Sequence, residues 1–350
     1  MQHFLFFAFT FVFSYLINGL FVKFSGTLGT KNAKNGAIIR WGSTSKPAFG
    51  GISFYIVFLV SFALYTSFFS EEVVESSFFG VLIATSLGFL IGLADDAYNT
   101  RPVLKFFGQV ACGVILVFTG NCINIFELEI LNQLLTVFWV VGIMNSINML
   151  DNMDAITTLV SIGVIVGALF ILVFEGKYDH FYFWLLLGVL ASLLGFLRYN
   201  WHPSKMYMGD TGSQFLGVFL AAIGILFFWN NFSNNSEDKF ASVMLPLLIF
   251  LPSIIDTTVV IINRLAKKQS PFIGGKDHTT HHLSYLGLKD DKVAIVFVIF
   301  SLFSVAIALL INNYLKEWTG IAKLATLLYC VIVFAVLFWV TKIKKDQEAN

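Results

Sequence analysis

Charge is what this sequence has least of. Only 12% of its 350 residues are Asp, Glu, Lys or Arg, against 57% apolar residues and a mean hydropathy of +0.80. That balance excludes a soluble enzyme. The net charge is +1, so there is no basic surplus to neutralise phosphates along a strand, and nucleic acid is excluded as a partner. The three cysteines are an odd number without ligand spacing, and Cys112 and Cys330 lie in apolar runs. No disulfide framework or zinc site follows from them. No low-complexity tract, linker, soluble module or convincing internal repeat interrupts the chain.

What is present is long apolar runs. They fall near 4–22, 48–70, 77–94, 103–119, 134–150, 156–174, 181–197, 213–229, 240–262, 293–311 and 320–340, each spanning a bilayer or nearly so. The chain therefore reads as one all-α integral membrane domain over 1–350 with about eleven transmembrane helices in the lipid bilayer. The first run lacks a basic leader and a small-x-small cleavage site, and is expected to stay as a helix. With the N-terminus outside and the C-terminus cytoplasmic, eighteen Lys and Arg residues lie inside and only Lys177, Lys239, Lys316 and Lys323 outside. The outer connections carry acids instead, among them Glu71, Glu72, Glu75, Glu237, Asp238 and Glu317. Candidate active-site loops on the inner side are those near 24–47, 95–105, 148–155, 198–213 and 263–292.

Asp95, Asp96, Asp151, Asp154 and Asp210 all fall where an apolar run meets an inner connection. Carboxylates gathered at one membrane face are a candidate metal and phosphate site. Asp95 and Asp96 diverge on a helix and serve different partners, with Arg101 and Lys105 following as counter-charges and phosphate ligands; solvated helix-end charges are the bland alternative. Asn148, Asp151 and Asp154 are spaced to form an oxygen-rich stripe on one helix face, suited to a hard cation such as Mg²⁺ that also takes water and phosphate oxygens. Local capping is the alternative there. In Y-M-G-D-T-G-S, Gly209 permits close backbone approach, helix N-terminal amides attract anions, and Asp210 is placed to hold a cation between them.

Asp256 sits inside the ninth run, where function and a buried pair with a basic residue are equal readings; Arg264, eight residues on, is too far along one helix to pair with it. In G-G-K-D-H-T-T-H-H-L, His278 and His281 are one turn apart, with Lys276 and His282 beside them. The pattern lacks the zinc-protease signature and suits phosphate or nucleotide contact.

Taken in order, K-P-A-F-G-G at Lys46, G-L-A-D-D with Pro102, Lys105 and Gln109, N-M-L-D-N-M-D, M-G-D-T-G-S and D-H-T-T-H-H-L resemble the polyprenyl-phosphate N-acetylhexosamine-1-phosphate transferase family, closest to its undecaprenyl-phosphate GlcNAc-1-phosphate branch. The resemblance runs from Pro47 to about Gly287. It implies transfer of a sugar 1-phosphate from a UDP-sugar donor to a polyprenyl phosphate acceptor, with release of UMP, as a first step of cell-envelope glycan synthesis.

It further implies Mg²⁺, with Mn²⁺ as a substitute. Asp210 is the expected metal ligand, with Asn148 near the metal and diphosphate. Asp95 or Asp96 is expected to hold or deprotonate the acceptor, Asp151 and Asp154 to organise the nucleotide or metal surroundings, and His278 with His281 to hold the diphosphate. Lys46, Arg101, Lys105, Gly209, Lys276 and His282 complete the expected substrate contacts, and a homodimer is compatible with such a chain. Two departures stand out. Asn152 and Ala155 replace the glycines of D-G-x-D-G, and Thr280 stands where a histidine is frequent. A proton-coupled secondary transporter and a non-catalytic receptor for lipid-linked sugars are the competing classes.

Overall fold

A computed structural model describes residues 1–24, 46–68, 76–231, 239–271, 274–314 and 319–343. The expected inner loop near 24–47 and the acids Glu71, Glu72, Glu75, Glu237, Asp238 and Glu317 therefore lie almost wholly outside the described residues. Among those described there is no strand, as expected of a chain whose backbone polar groups must be satisfied within each segment.

The helices run in the order α1 (Gln2–Phe24), α2 (Gly50–Phe68), α3 (Ser76–Tyr98), α4 (Pro102–Phe118), α5 (Glu129–Leu150), α6 (Ile156–Phe174), α7 (Phe181–Asn200), α8 (Gly209–Gly224, continued by a π turn, Ile225–Trp229), α9 (Lys239–Ile249), α10 (Leu251–Ala266), α11 (Thr279–Tyr285), α12 (Asp290–Tyr314) and α13 (Gly320–Val340). Among the described residues nine helices are long and apolar enough to cross a membrane, or ten if the bent pair α9–α10 counts as one. Every one of the eleven apolar runs is helical, but two are not plain spans. α4 is only 17 residues long. The ninth run, expected to be one helix over 240–262, breaks at Phe250 and turns by 81°. The cause is Pro252: without an N–H it cannot bond back to residue 248, and the chain restarts a helix with proline in its first turn.

At the centre stands α8, with every residue from Thr211 to Gly224 buried. It packs against α2, α3, α5 and α6. The approach of α3 is close enough that a Cβ on Gly92 would collide with the Asp210 carbonyl, so glycine there sets the height of the two helices against each other. At the rim, α13 exposes Ile321, Leu324, Ile332 and Val336, and α1 exposes Phe4, Phe9 and Leu16. In water such faces are an aggregation surface. In a bilayer they are the ordinary lipid-facing surface.

Candidate active site

The N-terminus of α8 organises one end of the bundle. Gly209 adopts φ +75°, in the left-handed region, and a Cβ there would lie 2.6 Å from Asp96 Oδ2. Glycine thus brings the first amides of α8 onto the Asp96 carboxylate. Oδ1 accepts from the Asp210 N–H at 3.1 Å, and Oδ2 accepts from the Thr211 N–H at 2.8 Å and its Oγ1 at 2.7 Å. This is an N-cap supplied from another helix, and both oxygens of Asp96 are engaged in it. Asp96 is therefore a clasp for α8.

Its neighbour Asp95 faces elsewhere, as divergence of adjacent helix positions requires. Oδ1 accepts from Thr100 N and Oγ1 at 2.9 and 2.7 Å, while Oδ2 accepts from Lys105 Nζ at 2.9 Å. Lys105, near the start of α4, is shared. Its ammonium also donates to Asp210 Oδ1 at 2.8 Å and to Asn148 Oδ1 at 3.4 Å. Asn148, in the last turn of α5, donates in turn to Asp210 Oδ1 at 2.6 Å and to Ser213 Oγ at 2.8 Å. Four helices, α3, α4, α5 and α8, thus converge on one lysine. Lys105 and Asp95 are 15% and 13% exposed in their side chains and Asp210 is 34% exposed, so Asp210 is the member that opens outward. Beneath lies a buried amide ladder. Gln109 donates to Gln214 at 3.0 Å and accepts from Asn145 at 2.7 Å, tying α4, α8 and α5 together under the charges.

The stripe of Asn148, Asp151 and Asp154 does not form. α5 ends at Leu150, Asp151 is its half-buried C-cap, and the chain turns with Ala155 at φ +66°. Asp154 consequently points to a second cluster. It accepts from Ser204 N and Oγ at 2.9 and 2.7 Å, pairs with His202 Nδ1 at 3.0 Å, and lies 3.8 Å from Lys46 Nζ. Lys46 donates to Ser204 Oγ at 2.8 Å and covers the Tyr207 ring at 5.0 Å. Its approach is set by the backbone, because K-P-A-F-G-G pairs with Y-M-G: Tyr207 N–H donates to Pro47 C=O and Gly51 N–H to Met208 C=O. His202 and Ser204 went unnoticed in the sequence. The only mark they carry there is a histidine and a serine flanking a proline at a helix exit, a pattern common to turns.

The histidines occupy a third cluster. Asp256, fully buried in α10, accepts from His278 Nδ1 at 2.8 Å, from the Thr279 N–H at 2.9 Å and from the Thr279 hydroxyl. The buried pair is thus real, and its partner is a histidine. Arg264 forks onto Asp277, with Nε and Nη2 at 2.8 and 2.7 Å from its oxygens, and donates to the Pro271 carbonyl at 2.8 Å. Burial raises the Asp277 pKa, but the Arg264 hydrogen bonds and charge outweigh it and leave the carboxyl below its ordinary range. The His281 ring, 1% exposed, is pushed down to about 3 by burial and by the neighbouring His278, so it is neutral near pH 7. His282 is half-buried and shifted down by burial and by Lys267. Lys276 and Arg101 are exposed, the former on the same loop and the latter at the start of α4.

Among the described residues no three His, Cys, Asp or Glu side chains are grouped as a metal cage. Asp210 and Asn148 are oxygen donors at an outward-opening position, a set that fits an ion drawing its remaining ligands from phosphates and water.

The site thus gathers carboxylates and amides around one lysine, at one end of an apolar helix bundle. A family profile described as Glycosyl transferase family 4 matches residues 78–228. The chain is 31% identical over 270 residues, 74% of its length and 72% of the relative's, to a "Probable undecaprenyl-phosphate N-acetylglucosaminyl 1-phosphate transferase" of Bacillus subtilis. It is 30% identical over 285 residues, 72% of its length and 70% of the relative's, to a "Decaprenyl-phosphate N-acetylglucosaminephosphotransferase" of Mycobacterium leprae. A "Phospho-N-acetylmuramoyl-pentapeptide-transferase" of Staphylococcus saprophyticus is 28% identical over 278 residues, 73% of this chain and 81% of that one. The chain belongs to glycosyl transferase family 4. Its apolar helices and its bacterial relatives together make it a multi-pass protein of the bacterial inner membrane.

Proposed function

We propose that the protein transfers N-acetylhexosamine 1-phosphate from a UDP-sugar, foremost UDP-GlcNAc, to undecaprenyl phosphate at the cytoplasmic face of the membrane. An oxygen of the acceptor phosphate attacks the sugar-linked phosphorus of the donor, the bond from that phosphorus to the bridging oxygen breaks, and UMP leaves with the bridging oxygen. The product is a polyprenyl diphosphate sugar. The observation that carries this reading is Lys105, held at once by Asp95, Asp210 and Asn148. A cation drawn in by carboxylates is already oriented when phosphates arrive, and phosphoryl transfer needs chiefly positioning and charge neutralisation.

In this reading Asp210 with Asn148 Oδ1 holds Mg²⁺, or Mn²⁺ in its place, and the ion would neutralise the donor diphosphate. Asp95 orients Lys105 toward the phosphates, and Asp96 keeps the α8 amides in place behind Asp210. Lys46, carried by the turn that pairs with residues 207–208, supplies a second positive charge beside Asp154. The acceptor is an anionic nucleophile, so no strong base is required. Lipid-borne acceptor and water-borne nucleotide meet only at a membrane surface, and the excess of Lys and Arg in the inner connections favours the cytoplasmic one.

Incubating purified protein with UDP-GlcNAc, undecaprenyl phosphate and Mg²⁺ tests the proposal: UMP and a lipid-linked sugar are expected in equal amounts. Sugar or nucleotide flux across vesicles without UMP supports a transporter instead, and binding without UMP supports a receptor.

A further inference from the structure

α11 has only seven residues, too few to hold a helix in place by its own bonds, so its position is set by what grips it from outside. One side is gripped by α10 through Asp256. α12 holds it through the bond from Ser284 to Asp290, and the turn after α5 holds it through Asn152. Asn152 Oδ1 accepts from Thr280 Oγ1 at 2.6 Å, and its Nδ2 donates to the Met149 carbonyl at 2.9 Å. Thr280 is wholly buried and His281 nearly so. Asn152 and Thr280 are also two positions at which the chain departs from the motif pattern it resembles, and each accounts for the other. Without the Thr280 hydroxyl the Asn152 carbonyl oxygen loses its partner, and without Asn152 the buried hydroxyl loses its acceptor.

We propose that Asn152 and Thr280 form a latch that fixes the distance between the acidic turn, with Asp151 and Asp154, and the histidines of α11, and thereby sets how tightly the sugar-nucleotide donor is held. The inference rests on the transferase reading for its donor and on geometry alone for its latch. The latch lies one residue from Asp151 and one residue from His281, so a loosened latch moves both flanks of a ligand seated between them. Neither residue is catalytic; both are positioning residues. The acceptor, which meets the protein through Lys105 and its carboxylates, is not held by them.

The test is a double-mutant cycle on the full-length protein, with Thr280→Val, Asn152→Gly and the double variant, and with Thr280→Ser as the conservative control. Thr280→Val and Asn152→Gly are each expected to lower kcat/KM for UDP-GlcNAc about fivefold to tenfold, chiefly through KM, with the double variant no more than about twofold below either single one, as coupled neighbours require. The KM for undecaprenyl phosphate stays within about twofold of wild type on the same reasoning. Thr280→Ser keeps the hydroxyl and restores the donor KM. Losses that multiply in the double variant, a donor KM unmoved by Thr280→Val, or equal shifts in donor and acceptor KM would each overturn the proposal. A wild type that releases no UMP sinks the transferase reading and the donor role together. The latch is then decided by hydrogen exchange of residues 278–285, which either single variant must accelerate and the double variant must not accelerate further.

Discussion

The lysine cluster at the head of α8 and the histidine cluster between α10 and α11 are both built around aspartates, on opposite principles. In the first, one ammonium is shared by Asp95, Asp210 and Asn148, and the carboxylate with most exposure, Asp210, opens outward. In the second, each acid has its own partner: Asp256 has His278 and Thr279, and Asp277 has Arg264. Sharing leaves the first cluster with one carboxylate charge unmatched, so it has room for a further cation. Dedicated pairing leaves the second complete. The contrast is between a charge set that leaves room for a further partner and one whose acids are already matched beside a short helix.

Breaking the complete cluster is therefore expected to show first in stability. Asp256→Ala strands the His278 ring and the Thr279 amide in the interior, a loss on the order of 3–5 kcal/mol, read as a large fall in the midpoint of thermal unfolding. Asp256→Asn, which still accepts two of those bonds, is expected to lose less. Equal midpoints for Asp256→Ala and wild type would show that the pair is incidental. Breaking the shared cluster is expected to show first in turnover: Asp210→Asn retains an oxygen on Asn148 and Lys105 and keeps the fold, but costs about a hundredfold in kcat by removing a principal electrostatic element. Near-normal turnover of that variant at low Mg²⁺ would move the metal to Asp151 or Asp154.

Both clusters were visible in the sequence as residues, and only the first as a constellation. The acids of G-L-A-D-D and M-G-D-T-G stand at helix ends, and apolar periodicity places helix ends well, so their convergence with Lys105 followed from the order of the runs. The pairing of Arg264 with Asp277 did not. It depends on the chain folding back through thirteen residues of loop and helix end, which no helical spacing encodes. The stripe of Asn148, Asp151 and Asp154 failed for a local reason: helical spacing was assumed to continue past Leu150, whereas Ala155 takes a left-handed conformation and turns Asp154 toward Ser204. The bend between α9 and α10 has its sequence signal at Pro252, masked by the unbroken apolar length of the run around it.

How rigidly α8 is held can be sharpened at Gly92. A methyl there meets the Asp210 carbonyl backbone, which cannot swing aside as a side chain does. Gly92→Ala is expected to cost about 1–3 kcal/mol through overpacking, and to lower turnover because Asp210 is displaced from Lys105 and Asn148. The same substitution at Gly142, where a Cβ meets open space, is the matched control and is expected to leave both quantities near wild type.

The gentlest probe of the histidine cluster is pH. Its basis is His281, whose folded value of about 3 lies below the ordinary 6.5 because burial and the adjacent His278 disfavour the charged ring. Unfolded chains therefore bind a proton at pH values where the folded protein does not. The contribution to stability is whole above about 6.5 and is lost as pH falls toward the folded value, with a slope of about 1.4 kcal/mol per pH unit for one proton. His282, shifted the same way by burial and Lys267, adds to that slope. Asp277 is shifted down as a carboxylate, so its loss begins only in the acid range below the ordinary carboxylate value and does not confuse the measurement between pH 6 and 5. Thermal unfolding across that interval is expected to fall steadily in wild type and more shallowly in His281→Gln. Parallel curves for the two proteins would mean that His281 is charged in the folded state and that the cluster is less closed than its distances indicate. The lysine cluster, whose groups are carboxylates and an amine, has nothing that ordinarily titrates in that interval, so the comparison between the two regions can be drawn from a single pair of unfolding curves.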